Sequence, residues 1–275
     1  MKQSVFEPIK IRLEILKANT LFSLKESLAY SLNNWGGLAS TITYMLTYLV
    51  FLSALYGRVE TIGGYRYSEA LLFTLMVQLN FYLIWVWSMT NLEKLGYDIK
   101  TGKLDLILSK PLPSLWYVTF QKINLFTLIV EMWPATLPLL YLLFKHLDFS
   151  VTPLGLFYGA LTLFLGQIAT HCFQFLFTLM TFWTGESKGL TGISYQIAFF
   201  GSDAIPLEAF PKSVIFLGIT AIPFLTHTAL TTSYILGRTT SPFYLILALA
   251  STTIFLFIKI KAWNFALKHY ASASS

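Results

Sequence analysis

Residues 70–92 read ALLFTLMVQLNFYLIWVWSMTNL, twenty-three positions without an Asp, Glu, Lys or Arg. The hydrocarbon core of a bilayer is about 30 Å thick, so a helix of about 20 apolar residues crosses it. Six more charge-poor runs surround this one: 27–57, 123–144 (interrupted by Glu131), 149–185, 189–202, 213–237 and 239–258. Run 149–185 is long enough for one tilted span. Run 189–202 is short, since fourteen residues reach only about 21 Å at 1.5 Å each. Hydrophobic residues make up 55% of the 275-residue chain and charged ones 12%. A soluble domain carries about 25% charge. With a mean hydropathy of +0.63, the chain has too little polar surface for a soluble enzyme, a disordered chain or a fibrous repeat, and reads as a polytopic membrane protein.

Basic residues set the topology. Lys2, Lys10, Arg12, Lys17 and Lys25 precede the first span; Lys94, Lys100, Lys103 and Lys110, with Lys122, lie between the second and third; Lys188, Lys259, Lys261 and Lys268 come later on the same side. The other side holds only Arg58, Arg66, Lys145, Lys212 and Arg238. Fourteen against five is a positive-inside bias that puts both termini in the cytoplasm, which requires an even number of spans. One of the later runs therefore does not cross. Run 213–237 is interrupted by Pro223 and follows GSDAIPLEAFP, so two half-helices dipping into the outer leaflet fit it. The alternative keeps 213–237 as span five and makes 189–202 re-entrant; charge counts do not separate the two.

The expected fold is an all-α membrane protein. Residues 1–34 form a cytoplasmic N-terminal interfacial helix. Residues 35–275 form a six-helix transmembrane domain, with spans at about 35–57, 70–92, 115–144, 151–183, 186–203 and 240–260 and a re-entrant outer-leaflet helical pair at 206–236. Segment 8–29 has modest amphipathicity, but Lys10, Arg12, Lys17 and Lys25 suit anionic headgroups. MKQSVFEPIKIRLEILKANT is too polar for a signal-peptide core, so no cleavage is expected. The single cysteine, Cys172, sits in an apolar run and reads as inert packing; no disulfide framework or Cys-based zinc site is possible. No internal repeat stands out.

The most charged internal stretch, 91–113, reads NLEKLGYDIKTGKLDLILSKPLP. Leu104, Ile107 and Leu108 share a helical face, and Lys110-Pro111 closes a short amphipathic helix. An ordinary reading is a solvated positive-inside loop; the functional one is a docking helix for a soluble partner. Inside the membrane, Glu131 is costly unless paired or wetted, which nominates it for a substrate path, against a hydrogen-bonded carboxyl in helix packing. Gln167, His171, Gln174 and Thr178 share one face of span four and either line a path or glue helices together. No second ligand stands at metal spacing from His171, and His227 and His269 have no partner in sequence. Trp85, Trp87, Trp116, Trp133, Trp183 and Trp263 lie mostly near span ends, as interfacial belts do. The net charge of +6 is a topology signal and gives no reason to expect nucleic-acid binding.

The run DIKTGKLDLILSKPLPSLWY, 98–117, resembles the loop motif of ABC-2-type transporter permeases, an Ile-basic-x-Gly-x-Leu-Asp followed by Leu-x-basic-Pro. Ile99, Lys100, Gly102, Leu104, Asp105, Leu108, Lys110 and Pro111 match it, with Asp98 just before. Phe182-Trp183 and then Gly201, Ile205-Pro206-Leu207, Phe210-Pro211 and Pro223-Phe224 resemble the family's outer-leaflet segment. The resemblance covers nearly the whole chain and favours 189–202 as part of span five. It implies a dimer with an identical or similar second permease, and two ATP-binding-cassette subunits at the cytoplasmic face. It further implies that the 98–111 loop and the N-terminal helix transmit their motion, with export across a bacterial inner membrane. Gly201, Pro206, Phe210, Pro211, Pro223 and Phe224 would form an outer gate. The chain has no GxxxxGK[ST] phosphate loop, so ATP and magnesium would be bound by the partner ATPase, and no catalytic residue or metal site is expected here. Gly36-Gly37 and Gly63-Gly64 mark span ends. The rival readings are an ATPase-independent secondary transporter or channel using Glu131 and, last, a membrane-embedded enzyme with His171 as base, which no acid cluster supports.

Overall fold

The computed structural model describes residues 7–29, 31–186, 188–189, 192–193, 206–222 and 227–270. Among these, regular structure is helical, apart from one isolated bridge between Ile62 and Tyr65. The helices are α1 (Glu7–Ala29), α2 (Ser31–Tyr56), α3 (Tyr67–Lys100), α4 (Leu104–Leu108), α5 (Ser114–Thr119), α6 (Thr127–Lys145), α7 (Pro153–Thr184), α8 (Lys212–Thr220), α9 (His227–Ile235) and α10 (Phe243–His269). Five helices are long and apolar enough to cross a membrane: Trp35–Tyr56 within α2, then α3, α6, α7 and α10. The expected span at 186–203 lies largely outside the described residues. In 206–236 stand a 3-10 turn (Leu207–Ala209) and the nine-residue helices α8 and α9. Each is about 14 Å long, too short to cross.

Helix ends follow local chemistry. Thr152 caps α7 by accepting from Gly155 N at 3.0 Å, with Pro153 at the first helical position. Glu69 accepts from the Arg66 backbone N–H at 2.8 Å and fixes the start of α3. Gly102, at φ 73°, sits just beyond the last turn of α3, where only glycine takes a left-handed conformation without strain.

The 34-residue α3 belongs to all three apolar cores. Leu71, Leu72, Leu75 and Met76 pack on Met45, Leu49 and Leu52 of α2 and on Ala135, Leu139 and Leu143 of α6. Phe73 and Val77 pack toward α7, α8, α9 and α10. Leu92, Leu95 and Ile99 join α4, α5 and the far ends of α7 and α10. In contrast, α2 buries one stripe at i, i+4, i+7 and leaves Tyr44, Leu46, Val50 and Phe51 exposed.

Segment 115–144 is not one helix, contrary to the continuous span expected there. α5 ends at Thr119, the chain runs irregularly to Asn124, and after two helical residues α6 enters a π-turn at Thr127–Glu131. The cause is a set of tertiary hydrogen bonds that replaces helical ones. The Asn91 amide nitrogen donates to the carbonyls of Trp87, Thr119 and Lys122 at 2.8, 3.2 and 2.9 Å, and its oxygen accepts from Lys122 N at 3.3 Å. From α1, Asn19 donates to Gln121 O at 3.0 Å and Thr20 accepts from Ile123 N at 3.0 Å. Asn124 N donates at 2.7 Å to Val86 O, a carbonyl within the second π-turn, Trp85–Met89 of α3.

α9 lies close against α7 because α7 presents glycine there. A Cβ on Gly155 would stand 2.5 Å from Tyr234 O, one on Gly159 2.6 Å from Ile235 Cγ1, and one on Gly166 2.6 Å from the His227 ring. Gly159→Val is expected to destabilise the protein by about 1–3 kcal/mol through overpacking. Gly36→Ala, where nothing lies within 4 Å, should leave thermal unfolding in the same detergent unchanged.

Candidate functional site

Beyond Asn91, α3 runs two more turns past the break and carries the sequence-predicted loop on its end. α4 packs inward through Leu104 and Ile107, both buried among Leu92, Leu95, Tyr117, Phe175 and Trp263. Of the expected docking face Leu104, Ile107 and Leu108, only Leu108 (37% exposed) is turned outward, together with Leu106 (67%) and Tyr97 (50%). The i, i+3 pair holds the loop on its own protein. Lys100, Lys103, Lys110 and Pro111 are exposed around that outer face. Asp98 is buried and paired with Lys94 at 3.1 Å. Asp105, half-buried, adds its charge to burial in raising the pKa of the Tyr270 hydroxyl. Lys110 donates to the Tyr117 hydroxyl at 2.9 Å. Lys100 bridges to Glu186, just past the end of α7, at 3.2 Å, and that hydrogen bond holds the Glu186 carboxyl below its ordinary pKa.

The polar row on α7 is a seam inside the chain. Gln167 accepts from Trp87 Nε1 at 3.1 Å and donates to Asn80 O and Oδ1 at 3.0 and 2.7 Å. Thr178 donates back to Gln174 O at 3.1 Å, and both Gln174 and Thr178 are fully buried. His171 contacts Ser88 through Nδ1 at 2.6 Å and Lys259 Nζ through Nε2 at 2.8 Å. Lys259, 5% exposed and inside α10, also donates to Thr119 Oγ1 at 2.8 Å and stands 4.7 Å from the Phe175 ring centre. The Thr119 hydroxyl donates to Leu115 O at 2.7 Å, so toward Lys259 it accepts. An ammonium at Lys259 requires Nε2 of His171 to accept, so Nδ1 carries the ring hydrogen and donates to Ser88. Among the described residues none of the Lys259 partners is a carboxylate. Three hydroxyl, imidazole and ring contacts therefore carry the whole task of compensating a buried cation.

Lys259 is the residue that sequence reading missed. It was counted with the cytoplasmic lysines because it ends a charge-free run. The usable signal is periodicity: Ala248, Ser251, Thr252, Lys259, Trp263 and Ala266 fall on one helical stripe, and all are buried. Asn91 was missed for a similar reason, since it sits at the edge of a run judged only by charge.

Glu131 lies elsewhere. It closes the π-turn of α6, half-buried, facing Gly37 of α2 and the hydroxyl of Tyr82. Beside Tyr82 opens a cleft of about 320 Å³ lined by Ser40, Thr41, Tyr44, Gln78 and Phe81. Glu131 and the Gln167–His171–Gln174 row thus border different helix interfaces. Of the outer segment, Pro206 packs on Gly63, Phe210 packs beside Leu207 and Tyr65, and Pro211 precedes α8; Gly201, Pro223 and Phe224 lie outside the described residues. Nearby, Glu69 accepts from Arg238 at 2.8 Å, and Arg66 reaches Asp148 at 2.9 Å. Ser233 donates to Glu208 at 2.9 Å. Burial, with Glu208 alongside, raises the pKa of Tyr65. Among the described residues no three His, Cys, Asp or Glu side chains gather into a metal-binding group.

The family model for "ABC-2 family transporter protein" matches residues 42–274. The chain belongs to the ABC-2 transporter family. Among curated proteins and among solved structures, nothing matches it. As an ABC-2 permease it is an integral membrane component of a transport system that is not itself catalytic, and the family works with ATP-binding subunits. Within this permease, Lys259→Met is expected to cost about 1–3 kcal/mol by leaving His171 and Thr119 without their donor. Combined with His171→Leu it should be non-additive by at least about 0.5 kcal/mol, read as a double-mutant cycle from detergent unfolding.

Proposed function

We propose that this chain is the transmembrane permease subunit of an ATP-driven exporter, pairing with a second permease and coupling to two separate ATP-binding-cassette subunits that hold ATP and magnesium. It sits in the bacterial inner membrane with both termini cytoplasmic. In this reading a sixth span completes the domain, and the short helices α8 and α9 belong to a re-entrant pair in the outer leaflet.

The observation that carries this reading is the continuity of α3 from the membrane to Lys100 and its junction, at Gly102, with the inward-locked α4. A partner seated on Leu106, Leu108 and Tyr97 pushes on a helix that cannot slide, because Leu104 and Ile107 are packed against α3, α5, α7 and α10. Lys100, Lys103 and Lys110 ring that surface and suit an acidic rim on the ATPase. The displacement passes through the same packing to α10, and there Lys259 ties it to His171 of α7. The exposed face of α2 is where the second permease seats, and Glu131, with the Ser40–Tyr82 cleft, borders the path between the two. Pro206, Phe210 and Pro211 close its outer end.

Two outcomes test the arrangement. Leu106→Asp with Leu108→Asp should abolish co-purification of the ATP-binding subunit and substrate-stimulated hydrolysis while membrane insertion and thermal unfolding stay as in wild type. A complex retained at wild-type level would overturn the docking assignment. Leu104→Asp should instead reduce the folded chain itself, since it buries a charge in the core. Glu131→Gln should lower export of cationic substrates at unchanged expression; equal export removes Glu131 from the path.

A further inference from the structure

The break at Phe120–Lys122 is bordered by two hollows of opposite character. On one side is an apolar groove of about 410 Å³ between α3 and α7, lined by Leu83, Trp87, Phe120, Ala160, Leu163, Phe164 and Ile168. Phe120 and Phe164 are exposed along it, so it opens sideways, where the bilayer lies. On the other side is a polar hollow of about 390 Å³ beneath α1, lined by Asn19, Ser23, Glu26, Lys94, Gln121 and Lys122. The two share a wall. Trp87 and Lys122 both offer their carbonyls to the same Asn91 nitrogen, at 2.8 and 2.9 Å, and Phe120 stacks on Trp87 with ring centres 6.0 Å apart. Along α3 the order is Leu83 and Trp87 in the groove, then Lys94 in the hollow. That is eleven residues, or about 16 Å from apolar to charged.

We propose that these hollows together hold one glycerophospholipid, its phosphate in the polar hollow and one acyl chain in the groove. The phosphate would lie between Lys122 and Lys94. The Lys122 ammonium donates to the Ser23 hydroxyl at 3.0 Å, and Lys94 is 42% exposed although paired with Asp98. The Asn19 and Gln121 amides line the same space. Glu26 and Glu93 stand near Lys122, so the hollow is mixed in sign. It therefore suits the singly charged phosphodiester of a glycerophospholipid better than a doubly charged phosphate, and Glu26 is placed to meet a headgroup ammonium. The apolar groove alone would take any hydrocarbon; the adjoining lysines select a chain that carries a phosphate at the right distance.

The test is native mass spectrometry of the full chain purified in mild detergent, with added phosphatidylethanolamine, phosphatidylglycerol or diacylglycerol of matched chains. One phospholipid per chain should be retained, with either phosphate-bearing head, and diacylglycerol should not. Lys122→Gln and, separately, Ala160→Phe should each lower phospholipid occupancy roughly tenfold, as expected for losing a charge-assisted contact or the chain's space. Lys94→Gln and Leu163→Trp serve as second variants for the two hollows if either first variant elutes as aggregate. Retention of diacylglycerol equal to phospholipid, or wild-type phospholipid retention by monodisperse variants of both hollows, overturns the proposal.

Discussion

An interrupted helix leaves backbone N–H and C=O groups unpaired, and where water does not reach them other protein groups must serve them. In this permease the Asn91 side chain meets most of that demand. One amide holds the carbonyls of Trp87, Thr119 and Lys122 and the Lys122 N–H, while α1 and the α3 π-turn take Gln121, Ile123 and Asn124. The consequences spread outward. α5 can leave the line of α6 and pack against α4, and α1 is fastened to the membrane domain by Asn19, Thr20 and Ser23 as well as by greasy contact. The freed Val86 carbonyl explains why α3 tolerates a π-turn at Trp85–Met89 and yet remains one rod.

That rod gives the molecule two unequal parts. α3, α7, α9 and α10 are bound by close glycine contacts, shared cores and the Ser88–His171–Lys259–Thr119 chain. α2 buries one stripe, Met45, Leu49 and Leu52, and adds hydroxyl contacts of Tyr48 with Thr74, Ser53 with Tyr67 and Tyr56 with the Tyr65 carbonyl. Packed interiors transmit displacement because they do not deform continuously. On the coupling proposed above, a force applied at α4 moves the first part as a body, and relative movement falls to the interface of α2 with α3 and α6.

The membrane class, the spanning runs of α2, α3, α7 and α10, and the loop motif were legible because each depends on residues near one another in sequence. Charge-free length alone located them. The break before α6 was not legible, since its cause is a partner about thirty residues away, and runs scored by charge pass over Asn91, Asn124 and Thr20 alike. The loop face was half legible: i, i+3 spacing found Leu104 and Ile107 but could not say whether the apolar side faces a partner or the chain's own core. The burial of Lys259 was not legible, because a lysine at the end of an apolar run usually marks the membrane edge. Its neighbour Lys261, two residues on and half a turn around, is exposed as expected.

Glu131 and Lys259 end up with opposite surroundings, and this narrows the search for the transport path. Lys259 is enclosed, with its three donors directed at Thr119, His171 and the Phe175 ring, so nothing entering the membrane domain can reach it without breaking that set. The same enclosure makes Gln167 and His171 parts of a helix seam, since both already have partners on α3 and α10. Glu131 is half-buried near a cleft lined by Ser40, Thr41 and Gln78 and stands where α2 meets α6. A carboxyl at that depth that is not sealed in stays within reach of an entering substrate. The lone carboxylate, and not the histidine row, is therefore the place to look for substrate contact.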